Sequence, residues 1–198
     1  MIKDLVAWLI RLICGVRVIP REALPEGPAV YFANHSSHLD FATIWAAFPS
    51  SVRARLRPVA GRDYWEKTAR RRRIACGFFN AVLIERKNVT VATNPLASML
   101  AALEAGDSLI VFPEGTRSAD GQVHEFKSGL YHLARSRPGV VLVPVYLQNL
   151  SRILPKGESL PVPLLGSLSF GAAMQLGADE AKGDFLQRAR AAVQQLAA

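Results

Sequence analysis

The chain of 198 residues has little cysteine, and its pattern fits neither a disulfide framework nor a zinc site. The two cysteines, Cys14 and Cys76, lie far apart, and no C-x-x-C pair occurs. A reducing compartment is therefore favoured over secretion. The sequence also lacks a Walker A loop and a G-x-G-x-x-G fingerprint, which argues against nucleotide binding in those modes. It has no G-x-S-x-G, so the nucleophile elbow of α/β serine hydrolases is missing.

No apolar run reaches the roughly 20 residues that a membrane-spanning helix requires. The apolar segment 1–19 is interrupted by charged residues, and no small-residue cleavage site follows it, so a signal peptide is disfavoured. On a helical wheel one broad face collects Ile2, Leu5, Val6, Leu9, Leu12, Ile13 and Val16. The opposite face holds Lys3, Asp4, Ala7 and Arg11. We predict a short amphipathic helix over 1–19 that lies either in a membrane interface or on the protein's own core.

Acidic residues are outnumbered, with 16 Asp and Glu against 24 Lys and Arg, for a net charge of +8. Most of the excess lies in the segment 53–73, which contains nine basic and only two acidic residues. Such a local field indicates an anionic partner: a phosphorylated substrate, an anionic membrane or a nucleic acid. The alternative is a solvated, arginine-rich helix face.

Half of the residues are hydrophobic and 20% are charged, which is typical of one globular domain at this length. Strands are predicted over 29–33, 58–60, 81–84, 108–112, 140–147 and 168–172. Helices are predicted over 40–47, 63–73, 95–105, 128–136 and 179–198, with Gly106 as a C-terminal stop. This alternation predicts an α/β fold, a single domain with a mixed, mostly parallel sheet flanked by helices. We divide the domain 1–198 into the N-terminal helix, a core over 20–150, and a C-terminal strand and helix over 151–198.

The loop after the first predicted core strand reads NHSSHLD (34–40) and holds a histidine and a carboxylate five residues apart. Across a turn that enters a helix, Asp40 can accept a hydrogen bond from one nitrogen of His35 and leave the other free as a general base. Two alternatives remain open. Asp40 or Ser37 can cap the following helix, or His35, His38 and Asp40 can bind a metal.

A second polar loop, FPEGTRS (112–118), follows the strand over 108–112. Gly115 permits close backbone approach or a positive φ, and the planar guanidinium of Arg117 suits a phosphate. Glu114 can accept from substrate hydroxyls or hold Arg117 in position. Both loops lie where α/β sheets gather their chemistry, beyond the carboxyl ends of strands.

These two loops resemble the N-H-x-S-x-x-D and FPEGTRS blocks of the glycerolipid acyltransferase family. Further similar blocks follow in order along the chain: LIERKN (83–88), FKSGLYHLA (126–134) and LVPVYL (142–147). The first two blocks together are highly specific.

The resemblance implies acyl transfer from acyl-CoA or acyl carrier protein to the free hydroxyl of a lysophospholipid, with lysophosphatidic acid as the default acceptor. It implies that His35 is the general base and that Asp40 orients it. It also implies a substrate-binding set of Arg62, Arg86, Glu114, Gly115, Thr116, Arg117 and Lys127. No metal or other cofactor is implied, and no enzyme nucleophile is needed, so both cysteines are interpreted as packing residues. His124 and His132 match no catalytic position and are interpreted as surface or helix residues.

The expected partners are the two substrates, an anionic membrane surface and, if it is the donor, acyl carrier protein; nucleic acid is not among them. We expect a peripheral or monotopic protein at the cytoplasmic face of the membrane. A thioesterase-like hydrolase that uses the same histidine on water is the alternative enzyme. A basic nucleic-acid-binding protein is the remote one, because it leaves the histidine–aspartate loop unexplained.

Overall fold

Seven strands form one sheet in the computed structural model, which describes residues 1–15, 17–20, 24–86, 90, 93–118, 120–150 and 166–197. The strands are β1 (Arg17–Pro20), β2 (Ala29–Ala33), β3 (Leu56–Gly61), β4 (Val82–Ile84), β5 (Ser108–Val111), β6 (Val141–Gln148) and β7 (Ser167–Phe170). Their spatial order is β1-β7-β6-β2-β5-β3-β4. Neighbours are parallel except β6 and β7, which are antiparallel. The predicted mixed, mostly parallel sheet is therefore confirmed.

Helices surround this sheet: α1 (Ile2–Cys14), α2 (Asp40–Ala47), α3 (Ser50–Arg53), α4 (Arg62–Trp65), α5 (Ala69–Arg72), α6 (Pro95–Glu104), α7 (Gly129–Ser136) and α8 (Lys182–Gln194). A π-helical turn (Arg73–Phe78) follows α5, and a 3₁₀ turn (Gln195–Ala197) follows α8. Gly106 has a φ of 83° just beyond α6, as its predicted role as a helix stop requires. Part of the predicted C-terminal segment, 151–165, lies outside the described residues.

The central strand β2 is buried on both faces, because helices cover both sides of the sheet. Its residues alternate: Ala29, Tyr31 and Ala33 pack into the apolar cluster under α1 and α2. Val30 and Phe32 pack into a second cluster with α6, α7 and α8. All five residues are at most 2% exposed. A continuous apolar run is what a parallel strand needs when both of its faces are buried.

Two predicted helices have different bounds in the structure. The predicted helix over 1–19 ends at Cys14, because Gly15 adopts a left-handed φ of 52°. The chain then enters β1, which pairs with β7 at the edge of the sheet. The predicted basic helix over 63–73 is broken into α4 and α5. Thr68 is extended, and its hydroxyl caps a new helix by accepting from the Arg71 N–H at 3.2 Å.

Helix α1 docks through its small and charged side. Ala7 and Cys14 are each 1% exposed, and the Arg11 Nε donates to the Ala46 carbonyl at 2.5 Å, near the C-terminal end of α2. Asp4 forms an ion pair with the buried Arg53. These contacts turn the broad apolar face outward, so that face does not pack on the protein's own core. Large exposed side chains on it are Ile2, Leu5, Leu9, Leu12 and Ile13, and Trp8 is exposed beside it.

Within the described part of the chain, no helix combines the length and the apolar character needed to cross a bilayer.

Candidate active site

The carboxyl ends of four parallel strands bring the polar loops together. His35 lies two residues beyond β2, Asp63 two beyond β3, Arg86 two beyond β4, and Glu114 three beyond β5. Because β4, β3, β5 and β2 are neighbours running in one direction, these loops share one edge of the sheet. That edge is where open α/β sheets bind their ligands.

His35 and Asp40 form a hydrogen-bonded pair across the turn into α2. The Nδ1 atom of His35 lies 2.8 Å from Oδ2 of Asp40, which is fully buried. The same oxygen accepts from the backbone N–H groups of Ser36 at 2.6 Å and Ser37 at 2.8 Å. These bonds hold the carboxylate against one ring nitrogen, which leaves Nε2 for a substrate proton. Leu39 is the N-cap of helix α2 and makes no side-chain cap bond, while the Ser37 hydroxyl accepts from the Leu39 N–H at 3.3 Å at the entry to the helix.

The second loop holds the backbone of His35 from both sides. Oε1 of Glu114 accepts from the His35 N–H at 2.9 Å, and the Ser118 N–H donates to the His35 carbonyl at 2.7 Å. The ring of Phe112 stacks on the imidazole with centroids 4.3 Å apart. Burial raises the pKa of Glu114, which is only 5% exposed. Glu114 therefore lies beneath the site and supports the position of His35.

A large, mostly apolar cavity of about 480 Å³ opens beside His35. Its apolar lining includes Val59, Ile84, Leu96, Met99, Val111, Leu130 and Leu133. Its polar lining includes Arg86, Asn94, Lys127 and His132. The volume falls within the range of about 300–1,000 Å³ that is usual for small-molecule sites. The cavity therefore offers an apolar chain a path that ends at the histidine.

A second cavity of about 250 Å³ is polar and cationic. It is lined by Gly61, Arg86, Thr116, Arg117, Tyr64, Trp65 and His38. Arg86 and Gly61 line both cavities, so the two spaces adjoin. Burial lowers the pKa of His38, and the nearby charge of Arg117 acts in the same direction. His38 is therefore neutral at pH 7, while the two arginines supply positive charge suited to a phosphate.

The structure brings most of the predicted substrate-binding residues to these cavities. Gly115 has a φ of 72°, and a Cβ there would come within 2.8 Å of Nζ of Lys127, so glycine leaves room for that amine. Arg62 and Glu114 are the exceptions, because neither is among the residues that line the two cavities. Glu114 is buried against the backbone of His35, and the side chain of Arg62 is 52% exposed and lies 3.6 Å from Glu66.

The same geometry places the remaining polar candidates and the two cysteines. Among the described residues, no group of three His, Cys, Asp or Glu side chains is placed to hold a metal ion, and His38 stacks on Tyr64. Cys14 is buried as predicted for a packing residue, but the same prediction is wrong for Cys76, which is exposed.

Three residues of the site were not identified from the sequence. Asp63 pairs with Arg86, and the pairing depends on a contact across 23 residues that no local pattern indicates. Asn34 extends the pairing of β2 with β6, since its side chain bonds both the N–H and the carbonyl of Leu147. His132 lines the large cavity from α7. Asn34 and His132 carried a signal, because they stand in the blocks 34–40 and 126–134, whereas Asp63 lies in neither.

Residues 15–148 match the profile of the Acyltransferase family. The matched span includes both polar loops and covers about two thirds of the chain. The chain belongs to the Acyltransferase family. The family resemblance predicted from the ordered sequence blocks is therefore confirmed.

Curated relatives within this acyltransferase family carry one recurring name. The chain is 32% identical over 144 residues to the chloroplastic 1-acyl-sn-glycerol-3-phosphate acyltransferase of Arabidopsis thaliana, covering 69% of this chain and 37% of that protein. It is 31% identical over 154 residues to human 1-acyl-sn-glycerol-3-phosphate acyltransferase alpha, covering 75% of this chain and 52% of that protein. These matches thus span between about a third and a half of each relative's length.

The acyltransferase fold itself has a solved counterpart. The crystal structure of the 1-acyl-sn-glycerophosphate (LPA) acyltransferase PlsC from Thermotoga maritima superposes with a TM-score of 0.76. The match covers 98% of this chain and 77% of the other at 20% sequence identity. At that identity the likeness establishes the α/β fold.

Proposed function

We propose that this acyltransferase transfers a fatty acyl group from acyl-CoA or acyl carrier protein to the free hydroxyl of lysophosphatidic acid, forming phosphatidic acid. The observation that carries the proposal is the His35–Asp40 pair, whose histidine lines an apolar cavity that adjoins a cationic one. A lysophospholipid and an acyl thioester together present an apolar chain, a hydroxyl and a phosphate. The curated relatives, named 1-acyl-sn-glycerol-3-phosphate acyltransferases, support the same acceptor.

The chemistry needs one base and no enzyme nucleophile. Nε2 of His35 accepts the proton of the acceptor hydroxyl as its oxygen attacks the thioester carbonyl. A tetrahedral intermediate forms, and it collapses with loss of the thiolate, which takes the proton back from the imidazolium. The buried carboxylate of Asp40 fixes the tautomer of His35 and stabilises the imidazolium while it exists. No metal or redox cofactor enters this scheme.

Cationic side chains orient the acceptor. Arg86 and Arg117 line the polar cavity, and Lys127 lies against Gly115 at the mouth of the apolar one. A phosphate bound there would direct the glycerol hydroxyl toward His35 and the acyl chain along the apolar lining. Thr116 adds a hydroxyl donor to the same cavity. We assign no substrate contact to Arg62, because it is paired with Glu66 away from both cavities.

We also propose that the protein binds an anionic bilayer through α1 and the arginines that follow Thr68. The outward apolar face of α1 suits the headgroup–acyl boundary. Arg70, Arg72 and Arg73 are exposed and suit anionic lipid headgroups. Lys3 lies 5.7 Å from the ring of Phe78, so α1 adjoins the turn that follows these arginines. The unpaired, exposed Cys76 is consistent with the reducing, cytoplasmic side of that membrane.

The test is thiol release from acyl-CoA and from acyl carrier protein, each with and without lysophosphatidic acid. We expect release that requires the acceptor and that is lost in His35→Ala. His124→Ala is the matched control, since His124 also pairs with an aspartate, Asp120, at 2.9 Å but on an exposed loop. That variant should retain full activity.

The outcomes separate the candidate reactions. Release without acceptor would indicate the thioesterase-like hydrolase instead. Acceptor-dependent release with a different lysolipid, but not with lysophosphatidic acid, would overturn the acceptor assignment alone. Activity that survives in His35→Ala would refute the mechanism.

A further inference from the structure

Arg86 is held by a carboxylate that the family resemblance did not indicate. Its Nε donates to Oδ1 of Asp63 at 3.1 Å, and its Nη2 lies 2.8 Å from Oδ1 and 2.9 Å from Oδ2. Its Nη1 donates to the carbonyl of Gly115 at 3.1 Å. The guanidinium is therefore fixed between the loop after β3 and the loop after β5, although 41% of the side chain is exposed.

This arrangement leaves one edge of the guanidinium for a ligand. The group has five N–H bonds in a rigid plane. Asp63 occupies the edge formed by Nε and Nη2, and the Gly115 carbonyl takes one N–H of Nη1. Counting partners within the described residues, one N–H on each terminal nitrogen remains, and a phosphate can accept from these two together.

The backbone of β3 is shaped to admit this pair. A Cβ on Gly61 would lie 2.5 Å from Cζ of Arg86 and 2.5 Å from Oδ1 of Asp63, and nearer still to the arginine Nε. No side chain fits there without displacing both groups. Gly61 also lines both cavities, so the arginine lies flat across the end of β3 at their junction.

We propose that Asp63 is a positioning residue that aims Arg86 at the phosphate of the acceptor. This inference rests on the proposed function, since it assigns the ligand of Arg86. Asp63 acts through Arg86, and its own charge opposes an incoming phosphate. An arginine on a flexible, exposed side chain loses conformational entropy when it binds a ligand. Asp63 holds Arg86 in place before binding, and the entropy cost avoided in this way outweighs the repulsion between Asp63 and the phosphate.

The inference predicts a specific kinetic pattern. In Asp63→Ala the KM for lysophosphatidic acid rises about tenfold, while kcat stays within about twofold at a saturating donor. Asp63→Asn, which keeps one acceptor oxygen, gives an intermediate KM. In the Arg86→Ala background, Asp63→Ala has no further effect, because the residue it positions is gone. Glu180→Ala breaks another bidentate pair, with Arg188, at a distant position and should leave the KM unchanged.

A binding measurement without turnover accompanies the kinetics. Calorimetric titration with sn-glycerol 3-phosphate should show binding to the wild type and to Glu180→Ala, and about tenfold weaker binding to Asp63→Ala. Thermal unfolding of each variant checks that the fold is retained, and Asp63→Asn serves if Asp63→Ala is unstable.

Three results would overturn the inference. A lower KM in the Asp63 variants would show that the carboxylate only repels the phosphate. Effects of Asp63→Ala and Arg86→Ala that multiply would show that Asp63 acts elsewhere. A fall in kcat with an unchanged KM would show that Asp63 does not contribute to ground-state binding of the phosphate. Failure of the proposed function would look different: wild type without acceptor-dependent thiol release, whether or not glycerol 3-phosphate binding depends on Asp63.

Discussion

The outward apolar face of α1 makes a quantitative prediction about membrane binding. Leu5 is 55% exposed and Leu12 is 62% exposed, so neither leucine is more than half buried in the protein. Full burial of a leucine side chain is worth about 1.5–3 kcal/mol, so immersing the exposed part of each would contribute about 0.8–1.9 kcal/mol. The double variant Leu5→Gln/Leu12→Gln should lose about 2–3.5 kcal/mol of bilayer affinity. That loss corresponds to a partition coefficient lower by about 30- to 300-fold.

The assay is cosedimentation with vesicles of phosphatidylcholine mixed with phosphatidylglycerol, read as the bound fraction against lipid concentration. The free energy of unfolding in urea should be unchanged in the double variant, because these side chains do not pack in the core. Ala7→Gln is the reciprocal control: Ala7 is 1% exposed on the docked side, so this change should destabilise the fold and keep the apolar face. Unchanged vesicle binding in the double variant would refute the reasoning. A loss of more than about 2 kcal/mol of stability there would also refute it, by showing that the face packs on protein.

Three further predictions follow from buried charges. Asp40→Asn removes the charge that stabilises the imidazolium of His35, worth about 4 kcal/mol at about 4 Å and an effective dielectric constant of about 20, so kcat in thiol release should fall roughly 10³-fold. Arg53→Ala removes a buried guanidinium that caps the Phe48 carbonyl at 2.8 Å, and urea unfolding should show about 2–3 kcal/mol less stability. Burial raises the pKa of Glu114 above its ordinary 4.5, so the free energy of unfolding of the wild type should fall as the pH rises through the raised value. Urea titrations across this pH range should show that Glu114→Gln lacks that fall.

Each of these predictions has a contrary outcome. A kcat within about threefold of wild type in Asp40→Asn would mean that the carboxylate charge has no catalytic part. Wild-type stability in Arg53→Ala would mean that its carbonyl cap and its stacking on Trp45 are replaced by water without loss. Parallel pH curves for wild type and Glu114→Gln would mean that Glu114 does not titrate differently on folding.

Local patterns predicted most of the secondary structure because they carry local physics. The apolar run 29–33 is a strand buried on both faces, and Gly106 stops a helix because it adopts a positive φ. The basic run 63–73 was predicted as one helix because its residues are acceptable helix formers. In the structure the hydroxyl of Thr68 caps a new helix within this run. A single threonine inside a long polar run is only a weak sequence signal for the start of a helix.

The amphipathic N-terminal segment shows what hydrophobic periodicity does not predict. A hydrophobic face predicts a buried side, but it does not say whether protein or lipid covers it. In the structure Asp4 and Arg11 bond to partners on α2, α3 and the turn between them, and these polar contacts decide which side faces the protein. No hydrophobic pattern encodes such contacts, because their partners lie 35 to 49 residues away.

The sequence by itself determined the family of this protein, from the blocks NHSSHLD and FPEGTRS, and the candidate residues within each block. Those residues lie close together along the chain, so local spacing was enough to pair His35 with Asp40. Only the tertiary structure decided how Glu114 supports His35, that Arg62 lines neither cavity, and which carboxylate holds Arg86. Such contacts form where parallel strands, far apart in sequence, end at one edge of a sheet.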